Sequence, residues 1–245
     1  MADLDAVRVT TDNDVVTVRL DRPAKRNAIT SAMYAALADA LTAADRAGAA
    51  AVVLTGTGGA FTAGSDLQDM AANPPVGDAP PPVRFLAALS TLRAVLVAAI
   101  DGPAIGVGTT LLLHCDLVYA TQRSTFRLPF VPLGLVPEAA STLLLPRLVG
   151  HQRATELMLF GDTFDAAEAR RMGLVTALAQ DADELARLVA ERTSRIAALP
   201  RAAVHAAKSL LVDDAATTVS ARLDLDRRVL QGLLATAVPP GHDPR

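Results

Sequence analysis

Leu96-Val-Ala-Ala-Ile-Asp-Gly-Pro-Ala-Ile-Gly-Val-Gly108 reads as a strand to Ile100, a glycine loop, and a short helix beginning near Gly108. Related patterns stand on either side of it. Thr30 can cap a helix through Ser31 to Leu41 that Gly48 ends, and Ala51-Val-Val-Leu-Thr55 then reads as a buried strand. Val83 to about Arg93 is a further helical segment, and Leu117 to Ala120 a further strand. Strands alternating with helices imply parallel pairing, because parallel neighbours need a long crossover that a helix normally supplies. The expected class is α/β, a sheet core covered by helices.

At the N-terminus, Val7 to Thr11 and Val15 to Leu20 alternate apolar and polar side chains around Asp12-Asn13-Asp14, the signature of a hairpin. Beyond Pro137 the pattern becomes helical: Glu138 to Leu148, His151 to Phe160, Ala166 to Met172, Asp183 to Ala198, Arg201 to Leu211 and Ala216 to Leu234. Only Leu174-Val175-Thr176 interrupts them as a short strand. Apolar stripes on such helices need a partner surface, either the core or a neighbouring subunit. Asn73 to Pro82 holds five prolines, which remove donors and fix φ, so a loop is expected there.

The 245 residues suit one domain, with or without a small helical extension. A net charge of -3, from 26 acidic and 23 basic residues mixed along the chain, offers no basic block for nucleic acid. Cys115 stands alone and the four histidines lack metal-ligand spacing, so neither an internal disulfide nor a metal site is expected. The acidic start lacks the basic and apolar regions of a secretory signal. The most apolar stretch, Ala94 to Leu113, is broken by Asp101, Gly102, Pro103, Gly106 and Gly108. A soluble protein of a reducing cytoplasm, without membrane contact, is the expectation.

Two glycine turns follow predicted strands: Gly58 to Asp66 and Asp101 to Gly108. At the carboxyl edge of an α/β sheet, glycines let backbone N–H groups approach a ligand unobstructed, although glycine punctuation also occurs in turns without function.

Arg22-Pro-Ala-Lys-Arg-Asn-Ala28, Ala60-Phe-Thr-Ala-Gly-Ser-Asp-Leu67, Ala98-Ala-Ile-Asp-Gly-Pro-Ala-Ile-Gly-Val-Gly108 and Cys115-Asp-Leu117 resemble, in order and spacing, the successive signatures of the crotonase (enoyl-CoA hydratase/isomerase) superfamily. The resemblance continues through Phe126 to Gly150, Leu159-Phe-Gly-Asp162, Ala166 to Val175 and Lys208. It implies a spiral of β-β-α repeats over residues 1–190 and a helical trimerisation region over 191–245, assembled as a trimer or hexamer. It also implies an acyl-CoA substrate, with coenzyme A part of that substrate and no separate cofactor.

By the same resemblance, the backbone N–H groups of Ser65 and Val107 form an oxyanion hole for a thioester carbonyl, so side-chain identity there counts for little. A β-branched Val107 would be strained if the loop required positive φ at that position. Coenzyme A contacts fall on Lys25, Arg26 and Ala28, and on the turn Ala63, Gly64, Ser65, Asp66 and Leu67. Read without the motif, Lys25 and Arg26 are solvated charges, and Asp66 and Asp116 are capping or turn residues.

The two glutamates that activate water in the family's hydratases are replaced by Thr110 and Phe130. Neither can serve as a general base. Glu138, in Leu133-Gly-Leu-Val-Pro-Glu138, instead resembles the single catalytic acid/base of Δ3,Δ2-enoyl-CoA isomerases. A competing account makes Pro137 and Glu138 the first turn of a helix. Three functions follow: double-bond isomerisation, non-catalytic acyl-CoA carriage or sensing, or another enolate reaction such as hydration.

Overall fold

The structure, a computed structural model, describes residues 6–212 and 218–236. Strands β1 (Val7–Asp12) and β2 (Val15–Leu20) form the expected antiparallel hairpin, with Asn13 and Asp14 at positive φ in its turn. Thr30 caps helix α1 (Ser31–Arg46), its hydroxyl accepting the Met33 N–H at 3.3 Å. Met33, Leu37, Leu41 and Ala44 recur every three or four residues and are buried, so one face of α1 enters the core.

Strand β2 pairs in parallel with β3 (Ala51–Gly56), β3 with β4 (Val95–Ile100), β4 with β6 (Leu117–Thr121), and β6 with β9 (Ala177–Ala179). The six-stranded order is β1-β2-β3-β4-β6-β9. All six residues of β4 are buried, as a central parallel strand covered on both faces requires. A second sheet of three short strands has the order β5 (Pro103–Ile105), β7 (Thr125–Arg127), β8 (Phe164–Asp165).

Successive segments pass from the first sheet to the second and then into a helix. Strands β4 and β5 lead to α4 (Val107–Thr110), and β6 and β7 lead to α5 (Ser141–Val149). A parallel bridge between Thr62 and Ala104 brings β3 and helix α2 (Leu67–Ala72) into the same scheme. The spiral of β-β-α repeats is therefore present. Helices α3 (Pro81–Thr91), α6 (His151–Phe160), α7 (Ala166–Arg171) and α8 (Ala182–Ala197) complete this part.

The chain divides between Ala197 and Ala198 into two compact units. The expected boundary at residue 190 lies inside α8, which runs on to Ala197. The second unit holds α9 (Arg201–Val212) and α10 (Val219–Thr236), joined by donation from Arg222 Nη1 to the Leu210 carbonyl at 2.6 Å. Residues 216 and 217, where the last helix was expected to start, and residues 237–245 lie outside the described residues. Among the described residues no helix is long and apolar enough to cross a membrane.

Three local readings change. The proline loop ends at Pro80, because Pro81 and Pro82 occupy the first positions of α3, where a missing N–H costs nothing. The strand expected at Leu174 to Thr176 is displaced to β9. Leu174 and Val175 donate their N–H groups to the Ala169 carbonyl at the end of α7, and only Thr176 reaches β6, at Val118. The helix expected from Glu138 begins at Ser141, because Ala139 and Ala140 have φ of 56° and 51°, outside the right-handed region.

Candidate active site

Two loops at the carboxyl ends of β3 and β4 meet to make the site. Asn27, fully buried, ties the first of them to the Arg22 to Ala28 turn. Its side-chain oxygen accepts the Arg22 N–H at 2.8 Å, and its Nδ2 donates to the Thr57 and Ala60 carbonyls at 2.9 and 2.8 Å. Thr62 Oγ1 donates to the Asn27 carbonyl at 2.7 Å and accepts the Gly64 N–H at 3.0 Å. The two loops then touch at Gly64, with φ of 92°, where a Cβ would stand 2.9 Å from the Ile105 carbonyl oxygen.

Between them lies a cavity of about 290 Å³, lined by Ser65, Val107 and Glu138 among apolar side chains that include Met70, Phe130 and Leu133. Glu138 is the one ionisable side chain in that lining among the described residues. A smaller cavity of about 90 Å³ shares Ser65, Met70 and Glu138 with it and reaches Tyr34.

Ser65 and Val107 are brought to the same cavity, as expected. Neither N–H has an acceptor among the described residues. The positive φ values of the second loop belong to Gly102, at 92°, and Gly106, at 57°, so Val107 opens α4 in an ordinary helical conformation and the feared strain is absent. At the start of a helical segment its N–H has no intrahelical acceptor. The Ser65 side chain is not idle: its Oγ lies 2.7 Å from the Tyr34 hydroxyl. Tyr34 is buried, stacks obliquely on Phe85 with centroids 5.7 Å apart, and has its ionisation pushed far upward by burial and then by the nearby Glu138 charge. Sequence reading missed Tyr34, which there looked like any apolar-face residue of α1. Only the structure shows its hydroxyl arriving at Ser65.

Glu138 stands outside α5, three residues before its first residue, so the helix-turn account of this carboxylate does not hold. Its carboxylate meets Thr110, whose Oγ1 lies 3.4 Å from Glu138 Oε1 and equally far from the Val107 carbonyl, a long, shared donation. Burial raises the Glu138 pKa above the ordinary carboxylate range, and the Thr110 hydroxyl opposes the rise. Thr110 is fully buried and Phe130 lines the cavity.

This has a consequence for pH. A group whose pKa is raised on folding adds stability that is complete below its unfolded pKa and is lost as pH rises through the folded one. Glu138→Gln removes that loss. Thermal denaturation followed across pH should therefore show the variant at least as stable as wild type on the alkaline side of the Glu138 titration. A variant less stable there would show that the ionised carboxylate holds the fold.

The turn carrying Lys25, Arg26 and Ala28 adjoins the cavity wall. Ala63 N–H donates to the Arg26 carbonyl at 2.9 Å, and Ile29 N–H to the Gly64 carbonyl at 2.8 Å. Lys25 and Arg26 are exposed and Ala28 is half-buried. Leu67 is 49% exposed at the cavity edge. Asp66 has a different position from that of a ligand-facing carboxylate. It caps α2, accepting the Gln68 and Asp69 N–H groups at 3.1 Å each, and pairs with Arg22 Nη1 at 2.7 Å, which holds its pKa low. Asp116 likewise accepts the Leu96 N–H at 2.7 Å.

The fold and site are of the crotonase type: a β-β-α spiral in which two backbone N–H groups without acceptors among the described residues stand at a cavity lined by a carboxylate. The family description Enoyl-CoA hydratase/isomerase matches residues 10–238, and the chain belongs to that family. It is 34% identical over 210 residues to the human protein named Enoyl-CoA delta isomerase 2, covering 83% of this chain and 53% of that one. It is 36% identical over 233 residues to a Rhodobacter capsulatus protein named Probable enoyl-CoA hydratase, covering 93% and 89%. The crystal structure of an enoyl-CoA hydratase/isomerase from Pseudoalteromonas atlantica T6c superposes with a TM-score of 0.80 at 38% identity, covering 94% of this chain and 89% of that one. The chain spans about half the length of the delta isomerases that it matches.

Proposed function

We propose that the chain is a Δ3,Δ2-enoyl-CoA isomerase of fatty acid metabolism. One observation carries the reading: among the described residues Glu138 is the only carboxylate in the lining of the larger cavity, while Thr110 and Phe130 stand where the resemblance puts the two glutamates of hydratases. Glu138 takes the proton from C2 of a 3-enoyl-CoA, the C2–H electron pair becomes a π bond between C1 and C2, and the carbonyl π pair moves onto the thioester oxygen, giving a dienolate. The Ser65 and Val107 N–H groups hold that oxygen. As the carbonyl re-forms, the double bond settles between C2 and C3, and Glu138 returns the proton to C4. No net redox change occurs and no cofactor enters.

Lys25 and Arg26 are assigned to the phosphates of coenzyme A, and the turns at Ala28 and Ala63 to Leu67 to its nucleotide and pantetheine. A trimer or hexamer is proposed with it, since the second unit leaves Leu211, Val212, Leu223 and Leu230 exposed. A cytoplasmic site of action is part of the same proposal.

Incubation with 3-enoyl-CoA and 2-enoyl-CoA separately tests the assignment. Migration of the double bond should be rapid, and hydration of the 2-enoyl thioester slower by at least about a hundredfold, because two-carboxylate water activation is absent. Hydration as fast as migration would overturn it. Binding with neither reaction would favour an acyl-CoA carrier.

A further inference from the structure

The segment that opens at Val107 continues from α4 into a 3-10 turn, Leu111–His114. Three of its residues, spaced by three and four positions, serve the site from one side. Val107 supplies a backbone N–H to the cavity. Thr110 Oγ1 meets the Glu138 carboxylate at 3.4 Å, and His114 Nε2 lies 2.8 Å from the Ala139 carbonyl oxygen. A carbonyl oxygen only accepts, so Nε2 carries the hydrogen.

The turn that His114 holds is a costly one. Ala139 and Ala140 are consecutive alanines in the left-handed region, a conformation that persists only where the surroundings impose it. Ser141 fixes the preceding carbonyl, that of Glu138, through its N–H at 3.0 Å and its Oγ at 2.6 Å. On the other side of Glu138 the Val136 side chain is exposed, and the nearest backbone hydrogen bond is that of the Leu135 N–H to the Phe130 carbonyl at 2.8 Å.

We infer that His114 is a positioning residue: its Nε2–H clamps the left-handed turn after Glu138 and so sets the carboxylate against the Val107 end of the same helical segment. The inference rests on the reading of Glu138 as the base. Oxyanion donor and base then share one rigid support, so a change at His114 shifts one against the other without touching substrate. A displacement of about 1 Å in such a constellation can cost about a hundredfold in rate.

The test compares His114→Leu, which keeps bulk and removes the donor, with His114→Gln, whose amide N–H can reach the same carbonyl. Each folded variant is assayed for α-hydrogen exchange of an acyl-CoA with solvent deuterium and for acyl-CoA affinity by calorimetry. His114→Leu should lose about tenfold to a hundredfold in exchange rate at nearly unchanged affinity, and His114→Gln should recover most of it. Should His114→Leu fail to fold, His114→Asn takes its place, since its shorter amide keeps polarity and falls short of the carbonyl.

Exchange at the wild-type rate in the donor-less variant overturns the inference. So does a loss that glutamine does not repair, or one matched by an equal loss of affinity. Absence of exchange in the wild type would instead overturn the reading of Glu138, so the two failures are distinct.

Discussion

Glu138→Gln should lower the isomerisation rate by about 10²- to 10⁴-fold while leaving acyl-CoA affinity close to that of the wild type. The amide fills nearly the same volume and can still accept the long Thr110 donation through its oxygen. It cannot accept the C2 proton. Because α5 begins at Ser141, the substitution removes no helix cap, and no structural role of the charge stands behind the expected loss. Turnover at the wild-type rate in Glu138→Gln would mean that another group moves the proton.

Ser65→Pro should reduce turnover by about 10²- to 10³-fold, the usual cost of one oxyanion donor. Proline removes the N–H, and no backbone hydrogen bond among the described residues is lost with it. The parallel bridge beside it is made by Ile29 N–H to the Gly64 carbonyl and by Asp66 N–H to the Ile29 carbonyl, both at 2.8 Å. Ser65→Ala serves as the control, and the structure changes what to expect of it. It keeps the donor but leaves the Tyr34 hydroxyl buried without its partner, a cost of about 1 to 3 kcal/mol in stability. Its turnover should stay well above that of the proline variant once both are confirmed folded by circular dichroism. Equal losses would make the hydroxyl, not the backbone, the working group.

Strands β1 to β4 and β6, α1 with its Thr30 cap and the two glycine loops were legible because local rules decide them: apolar periodicity, a capping hydroxyl, glycine where backbones cross; β5, β7 and β8, two or three residues each, are too short to show a period. Ser65, Val107 and Glu138 were placed by motif, and the structure does bring them to one cavity. What escaped reading depends on contacts distant in sequence. Tyr34 and Ser65 are 31 residues apart, and His114 and Ala139 are 25 apart. No local pattern announces either pair. The start of α5 was misread because Pro137 and Glu138 imitate a helix N-terminus, while two alanines adopt left-handed conformations that their side chains do not favour. Asp66 sits inside a motif for ligand binding, and the capping role that its residue type suggests is the one it takes; its pairing with Arg22, 44 residues away, has no local signal.

Enolate formation by Glu138 at this cavity is the step on which the proposed reaction turns. Wild-type protein and Glu138→Gln, each saturated with a 3-enoyl-CoA in deuterium oxide, should be compared by mass spectrometry for deuterium entering at C2. The wild type should exchange and the variant, binding equally well, should not; a wild type that binds the thioester but neither exchanges its α-hydrogen nor moves its double bond would contradict a proton shuttle at Glu138.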